Sequence, residues 1–311
     1  MIPVIYGCQG LTLTTAEQEF FSKTQPLGFI LFERNCQNPD QVKALIAQLK
    51  NCLNHTEVPI LIDQEGGRVV RLKPPFWKRR PAAKSFTSAK DVYENAKDMA
   101  YELAELGINV NCAPCADLLI AGADGIIGDR AFSNDPEIVT QYSLAMLKGL
   151  EDGGVTPVIK HLPGHGRAPV DSHKELPVVD TEHATLSTTD FITFKALAKA
   201  SKTAWGMTAH VIYNSIDPLN VATQSSKLIN EVIRGEIGFN GFLISDCLTM
   251  KALQGSFAEK AKLSLNAGCN AVLMCQGSIT EFEAVAIASK LLLVAYFNLQ
   301  KHQQFCGFRV I

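Results

Sequence analysis

The sequence predicts an α/β fold of the (β/α)8 barrel type, a single barrel domain spanning residues 1–311. Three observations carry that prediction. Short runs of branched apolar residues alternate with longer amphipathic segments, the order expected of repeated βα units around a parallel sheet. The runs are continuously apolar, as strands covered on both faces are. Polar residues collect at or just after the carboxyl ends of many different runs, where a closed barrel builds its site; an open sheet would gather them at one switch point.

Taken in order, Pro3–Tyr6 is a candidate first strand and Gly28–Phe32 a clear one. A helix is expected over Pro39–Leu53, opened by Asn38 as cap and Pro39 at the first helical position. The strand Val58–Asp63 leads into a long loop marked by Pro74-Pro75 and Arg79-Arg80-Pro81, and a helix follows over Ser88–Leu106. The strand Ile108–Pro114 precedes a helix over Pro136–Asp152 that Asp135-Pro136 opens in the same way. The strand Thr156–His161 delivers a loop rich in Gly, Pro and His, then come a helix over Thr189–Ser201 and a strand over Ala204–His210. The remaining units pair a helix over Ser225–Ile237 with the strand Gly241–Asp246, and a helix over Ser256–Ala267 with the strand Asn270–Met274. Beyond about Ser289 the tail, Lys290–Ile311, offers only an apolar helical run followed by polar residues, so the last barrel unit is expected to be irregular.

A hydrophobic content of 47% is ample for a substantial core, and a formal net charge of −2 gives no basic surface for nucleic acid. The first residues have no basic segment followed by a long apolar run, and no stretch approaches the roughly 20 apolar residues of a membrane span. A soluble cytoplasmic protein is the expectation, with no nucleic-acid or membrane partner. The nine cysteines are odd in number and scattered, which fits reduced thiols better than a disulfide framework. Cys112 and Cys115 have the spacing of a redox pair, but they interrupt an apolar run and read more naturally as buried strand-end thiols.

Several polar groups are candidates for chemistry. Asp246, ending its strand run, is either a carboxylate at a barrel mouth or a cap for a segment beginning near Leu248. Asp171 and His173 stand two apart, which in extended backbone puts both on one side. The carboxylate would favour and orient the imidazolium, unless both lie on a solvated loop without a partner. His161 and His165 invite a metal reading, yet Pro163-Gly164 between them prevents the helix that paired ligands at this spacing need. The Gly-rich loop around them lacks phosphate-loop spacing. Asp63 to Arg71, with its carboxylates and arginines, suits polar-ligand recognition or a plain ion-paired turn.

Together these segments resemble the family 3 glycoside hydrolases, and within them the single-domain bacterial β-N-acetylglucosaminidases of cell-wall recycling. The resemblance rests on Ile62-Asp63-Gln64-Glu65-Gly66-Gly67-Arg68-Val69, Ile127-Gly128-Asp129-Arg130-Ala131-Phe132, Met207-Thr208-Ala209-His210 and Gly241-Phe242-Leu243-Ile244-Ser245-Asp246. Its most specific part is Lys160-His161-Leu162-Pro163-Gly164-His165-Gly166 with Asp171-Ser172-His173. It implies Asp246 as nucleophile, His173 as general acid/base and Asp171 as its partner. Asp63, Arg71, Arg130, Lys160 and His161 would bind the terminal sugar, and no metal or organic cofactor is implied. The implied substrate is a small molecule, a muropeptide carrying non-reducing N-acetylglucosamine. Cys247 stands where a second acidic residue commonly follows the nucleophile, and Val221 replaces a common Pro. The rival readings are a β-glucosidase-like member of the family, a metal-dependent barrel hydrolase using His161, His165 and His210, and a catalytically silent sugar-binding protein. His165 is left with a loop-shaping hydrogen bond.

Overall fold

The computed structural model describes residues 1–291, in which eight parallel strands close into a barrel. The strands are β1 (Ile2–Tyr6), β2 (Pro26–Leu31), β3 (Ile60–Ile62), β4 (Val110–Asn111), β5 (Thr156–Leu162), β7 (Trp205–Thr208), β9 (Leu243–Cys247) and β10 (Ala271–Met274). Outside the barrel, β6 (Val178–Val179) and β8 (Ile212–Tyr213) pair in parallel as a small ribbon. Closure is made by β1, which pairs with β2 on one side and with β10 on the other, Val4 facing Val272 and Tyr6 facing Met274. Pro3–Tyr6 is therefore the eighth strand. The strand of the last unit is in place, with a register shift against β9 between Ala271 and Leu273, and a helix over 279–291 follows it; most of the tail singled out in the sequence lies outside the described residues.

Alternation along each strand sorts the core into two layers. Ile5, Ile30, Leu61, Val110, Val158, Met207, Ile244 and Leu273 fill the barrel interior. Their strand neighbours Val4, Tyr6, Phe29, Leu31, Ile60 and Ile62 pack outward among helix residues such as Val42, Leu45, Met99 and Leu103. Both faces are buried, which is why the runs read as continuously apolar rather than alternating.

The helices fall between strands: α1 (Thr15–Thr24), α2 (Pro39–Asn51), α3 (Ala89–Leu106), α4 (Pro136–Asp152), α5 (His183–Thr188), α6 (Asp190–Ala200) and α7 (Phe257–Ala267). Asn38 and Asp135 cap α2 and α4 through side-chain acceptance from Gln41 N–H and Glu137 N–H, with Pro inside each first turn, as the sequence predicts. The segment read as a helix over Ser225–Ile237 has π-helical hydrogen bonding over Leu228–Glu236. Three helices were not expected, the one over 279–291 among them. The other two are α1, whose Thr14 and Glu17 form a reciprocal capping box, and the short α5. No helix among the described residues is long and apolar enough to cross a membrane.

Candidate active site

The polar residues at the carboxyl ends of the strands converge on one open cavity of about 370 Å³, within the range of small-molecule sites. Asp63, Arg71, Arg130, Lys160, His161, His173 and Asp246 all line it. Asp171 supports His173 from just behind.

Lys160 is the centre of the buried charge. It lies within β5 and is almost wholly inaccessible, with Nζ 2.8 Å from Asp63 Oδ1 and 2.6 Å from Glu65 Oε1. Arg130 reaches the other side of Glu65 through two parallel bonds, Nε to Oε2 at 2.9 Å and Nη2 to Oε1 at 2.8 Å. Arg71 Nη2 stands 3.4 Å from Asp63 Oδ2. Burial by itself would push both carboxyl groups up, but Lys160 with Arg71 holds Asp63, and Arg130 with Lys160 holds Glu65, below the usual range. For Lys160 the opposing effects run the other way: burial disfavours its charge, and the paired Asp63 and Glu65 raise it. The result is a lattice of ionised groups at the barrel mouth, all of them lining the cavity. Glu65 was not singled out from sequence; nothing in its loop distinguishes a buried carboxylate from an exposed one.

Lys160 and His161 are joined by a cis peptide and both line the cavity, at a point where the ladder between β5 and β7 shifts register. His161 Nδ1 lies 2.6 Å from Asp117 Oδ2, and the His161 and His165 amides donate to the same carboxylate at 3.2 and 2.5 Å. Asp117 is fully buried. Burial would raise its carboxyl, yet His161 and His165 hold it at about 2. With Nδ1 committed to Asp117, the Nε2 edge of His161 is left for a ligand. In the sequence Asp117 stands three residues after the run that ends at Pro114, with nothing beside it to mark this role. Cys115, Asp117 and His161 are also the group whose donor atoms, among the described residues, gather closely enough to surround a cation. Asp117 there already accepts three hydrogen bonds from His161 and His165. The other histidines of the metal reading are engaged elsewhere: His165 with Ser172, and His210 with Thr223 and the Cys247 carbonyl.

Asp246 lies within β9, and residues 248–252 beyond the strand form turns, so it does not cap a helix near Leu248. Its Oδ1 accepts from Cys247 N–H at 2.7 Å. Burial pushes its carboxyl up, but His210, His161, the Cys247 amide and His173 together bring it below the ordinary value. A carboxylate ionised at neutral pH, on a cavity wall with one oxygen committed to the backbone, is suited to nucleophilic attack.

The loop after β5 carries the remaining groups. His173 N–H donates to Asp171 Oδ1 at 2.9 Å and His173 Nδ1 stands 2.9 Å from the same oxygen. The pair meets through a tight turn, not through the extended backbone expected from its spacing; the Asp side chain bonding an amide two residues on is what closes that turn. Asp171 is largely buried while the His173 side chain is 60% exposed. Burial would raise the Asp171 carboxyl; the His173 amide and ring bring it below its usual value. Ser172 between them is buried, bonded to His165 Nε2 at 3.0 Å, with its carbonyl accepting from Ala252 N–H at 3.1 Å. His165 thus makes the loop-shaping hydrogen bond expected of it. Tyr213 in β8 adds a bond from its hydroxyl to the Gly164 carbonyl. Cys112 and Cys115 are free, buried thiols beside β4.

Comparison with known proteins relates this arrangement to a sequence family. Residues 7–304 match the Glycosyl hydrolase family 3 N terminal domain. A Beta-hexosaminidase of Alkalilimnicola ehrlichii is 37% identical over 284 residues, which cover 88% of this chain and 80% of that protein. Among solved structures, NagZ from Neisseria gonorrhoeae in complex with N-trifluoroacetyl-D-glucosamine has a TM-score of 0.82 and 33% identity over 93% of this chain and 84% of that one. A glycoside hydrolase family 3 β-N-acetylglucosaminidase from Paenibacillus has a TM-score of 0.86 and 31% identity, covering 92% of this chain and 56% of that one.

Proposed function

We propose, because this chain belongs to glycosyl hydrolase family 3 and is a glycoside hydrolase, that it is an exo-acting retaining β-N-acetylglucosaminidase. Its substrates are cytoplasmic muropeptides with a terminal non-reducing N-acetylglucosamine, and its whole catalytic machinery sits on one barrel domain. The observation that carries this reading is that Asp246 and the Asp171-supported His173 face one cavity already furnished with the Asp63, Lys160 and Arg130 lattice. The relatives named Beta-hexosaminidase and the neighbour bound to an N-acylated glucosamine support the choice of sugar.

The terminal sugar sits against Asp63, Arg71, Arg130, Lys160 and His161, whose donors and acceptors match its hydroxyl groups. Asp246 attacks the anomeric carbon from one face while His173, as imidazolium, protonates the departing oxygen, leaving a glycosyl ester on Asp246. Neutral His173 then takes a proton from water as the water displaces the sugar from Asp246. Retaining glycosidases usually give the acid/base role to a carboxyl group. Here the Asp171 carboxylate, 2.9 Å from His173 Nδ1, orients the ring. The inner wall of the cavity is formed by the barrel-interior residues Ile30, Met207 and Leu273, which fits a site for a terminal sugar and so an exo action.

Hydrolysis of p-nitrophenyl N-acetyl-β-glucosaminide compared with the corresponding glucoside tests the reading. Preference for the acetamido sugar is expected. Preference for the glucoside would move the protein to the β-glucosidase-like members, and hydrolysis of neither would overturn the proposal.

A further inference from the structure

From the charges that line the cavity we infer that Arg34 is an anion-recognition residue at its rim, selecting leaving groups that bear a carboxylate. The inference rests on the hydrolase reading above. Five cations line the cavity, Arg34, Arg68, Arg71, Arg130 and Lys160. Four of them are matched by carboxylates: Arg68 by Asp129, Arg71 by Asp63, Arg130 by Glu65, and Lys160 by Asp63 and Glu65. Arg34 forms no ion pair among the described residues. Its neighbour Glu33 is taken by Lys73, and Glu17 accepts from Gln9 N–H and Thr14.

The unmatched charge is nonetheless held in place. Arg34 Nε donates to the Cys8 carbonyl at 3.0 Å and Nη2 to the Cys275 carbonyl at 2.6 Å, which leaves Nη1 without a partner among the described residues. The guanidinium lies 4.7 Å from the centre of the Phe32 ring, a ring that Arg71 also approaches, at 5.5 Å. Gly7 keeps the space open: a Cβ there would sit 2.1 Å from the Cys275 oxygen and 3.1 Å from Arg34 Nη2. An arginine fixed at one edge and open at the other is prepared to bind a carboxylate without losing much side-chain freedom.

Position assigns this charge to the leaving group. The lattice that suits the sugar is buried, whereas Arg34 is exposed. Together with Gln276, it borders both the main cavity and an adjoining hollow of about 250 Å³ formed with Gly7, Cys8, Gln9, Gly277 and Phe282. A substrate whose terminal sugar fills the interior has only its aglycone at that rim. The aglycone class selected is one with a carboxylate, such as a lactyl ether or a peptide chain.

The test compares β-1,4-linked N-acetylglucosaminyl-N-acetylmuramic acid, its lactyl methyl ester and p-nitrophenyl N-acetylglucosaminide as substrates of the wild type, Arg34→Gln and Arg34→Lys. The wild type should favour the acid over the ester, with the preference weakening as salt rises. Arg34→Gln should lower the acid-to-ester ratio of kcat/KM about tenfold, mainly through KM for the acid, and Arg34→Lys should keep part of the preference. An unchanged ratio in Arg34→Gln overturns the inference, and so does an equal loss on all three substrates in both variants. Wild-type protein inactive on the nitrophenyl sugar overturns the hydrolase reading instead.

Discussion

Lys160 Nζ lies 2.8 Å from Asp63 Oδ1, an ion pair that joins β5 to the loop after β3 across the mouth of the barrel. Because the ammonium also serves Glu65 at 2.6 Å, its removal takes a buried cationic partner from two carboxylates at once, leaving Asp63 with Arg71 and Glu65 with Arg130. Lys160→Met should cost about 3–5 kcal/mol of stability, the usual penalty for breaking a buried pair from one side. It should also raise KM for the nitrophenyl sugar. A melting transition within a degree of the wild type would show that the lattice does not depend on Lys160.

Asp117 orients His161 and His165 through three hydrogen bonds but touches no substrate in this account. Asp117→Asn removes the charge and keeps the shape, so kcat/KM should fall about 10- to 100-fold, the size of losing charge-assisted hydrogen bonds in a buried site. The loss should appear largely in KM, since His161 is assigned to sugar binding. Unaltered kinetics would make Asp117 a purely structural residue.

How much His173 matters should depend on the leaving group. His173→Gln is expected to slow hydrolysis of a disaccharide, whose departing oxygen needs a proton, by about 10²–10⁴. Hydrolysis of a 2,4-dinitrophenyl glycoside, which leaves without one, should slow far less at the glycosylation step. Asp171→Asn should follow the same pattern more weakly. Equal losses on both substrates, resolved by pre-steady-state measurements, would remove the acid role.

Stability should decline on the acid side. Burial is the main cause that brings the His165 imidazole down from 6.5 to about 4 in the folded protein. Between those values the unfolded chain binds a proton that the folded chain does not, so the contribution is complete above about pH 6.5 and shrinks as pH falls toward 4. Asp117, held at about 2 against 3.8, extends the same decline to lower pH. His165→Gln should flatten the fall in Tm between pH 6.5 and 4. A slope identical to that of the wild type would assign the acid sensitivity elsewhere.

The barrel was legible because both faces of each strand are apolar and because Asn38 and Asp135 announce their helices. Helix α1 was missed although Thr14 and Glu17 carry a capping signal, since its short TAEQEFFSKT sequence offers only a narrow apolar stripe around Phe20 and Phe21. The residues singled out for the sugar and for catalysis came together on one cavity, because strand ends in a closed barrel must converge. What sequence could not give was the network behind them. Asp117 and His161 are 44 positions apart, and Glu65 acquires its meaning only when Arg130 and Lys160 bury it. The Asp171 and His173 side chains were expected to meet, but local turn chemistry, not strand alternation, brings them together.

In the proposed mechanism Asp246 forms a covalent bond to the sugar during turnover. Incubation with a 5-fluoro N-acetylglucosaminyl fluoride, followed by intact mass measurement and peptide mapping, tests it most directly. A single glycosyl adduct is expected on the peptide containing Asp246, absent from Asp246→Asn. An adduct mapped to another peptide, or equal labelling of Asp246→Asn, would contradict it.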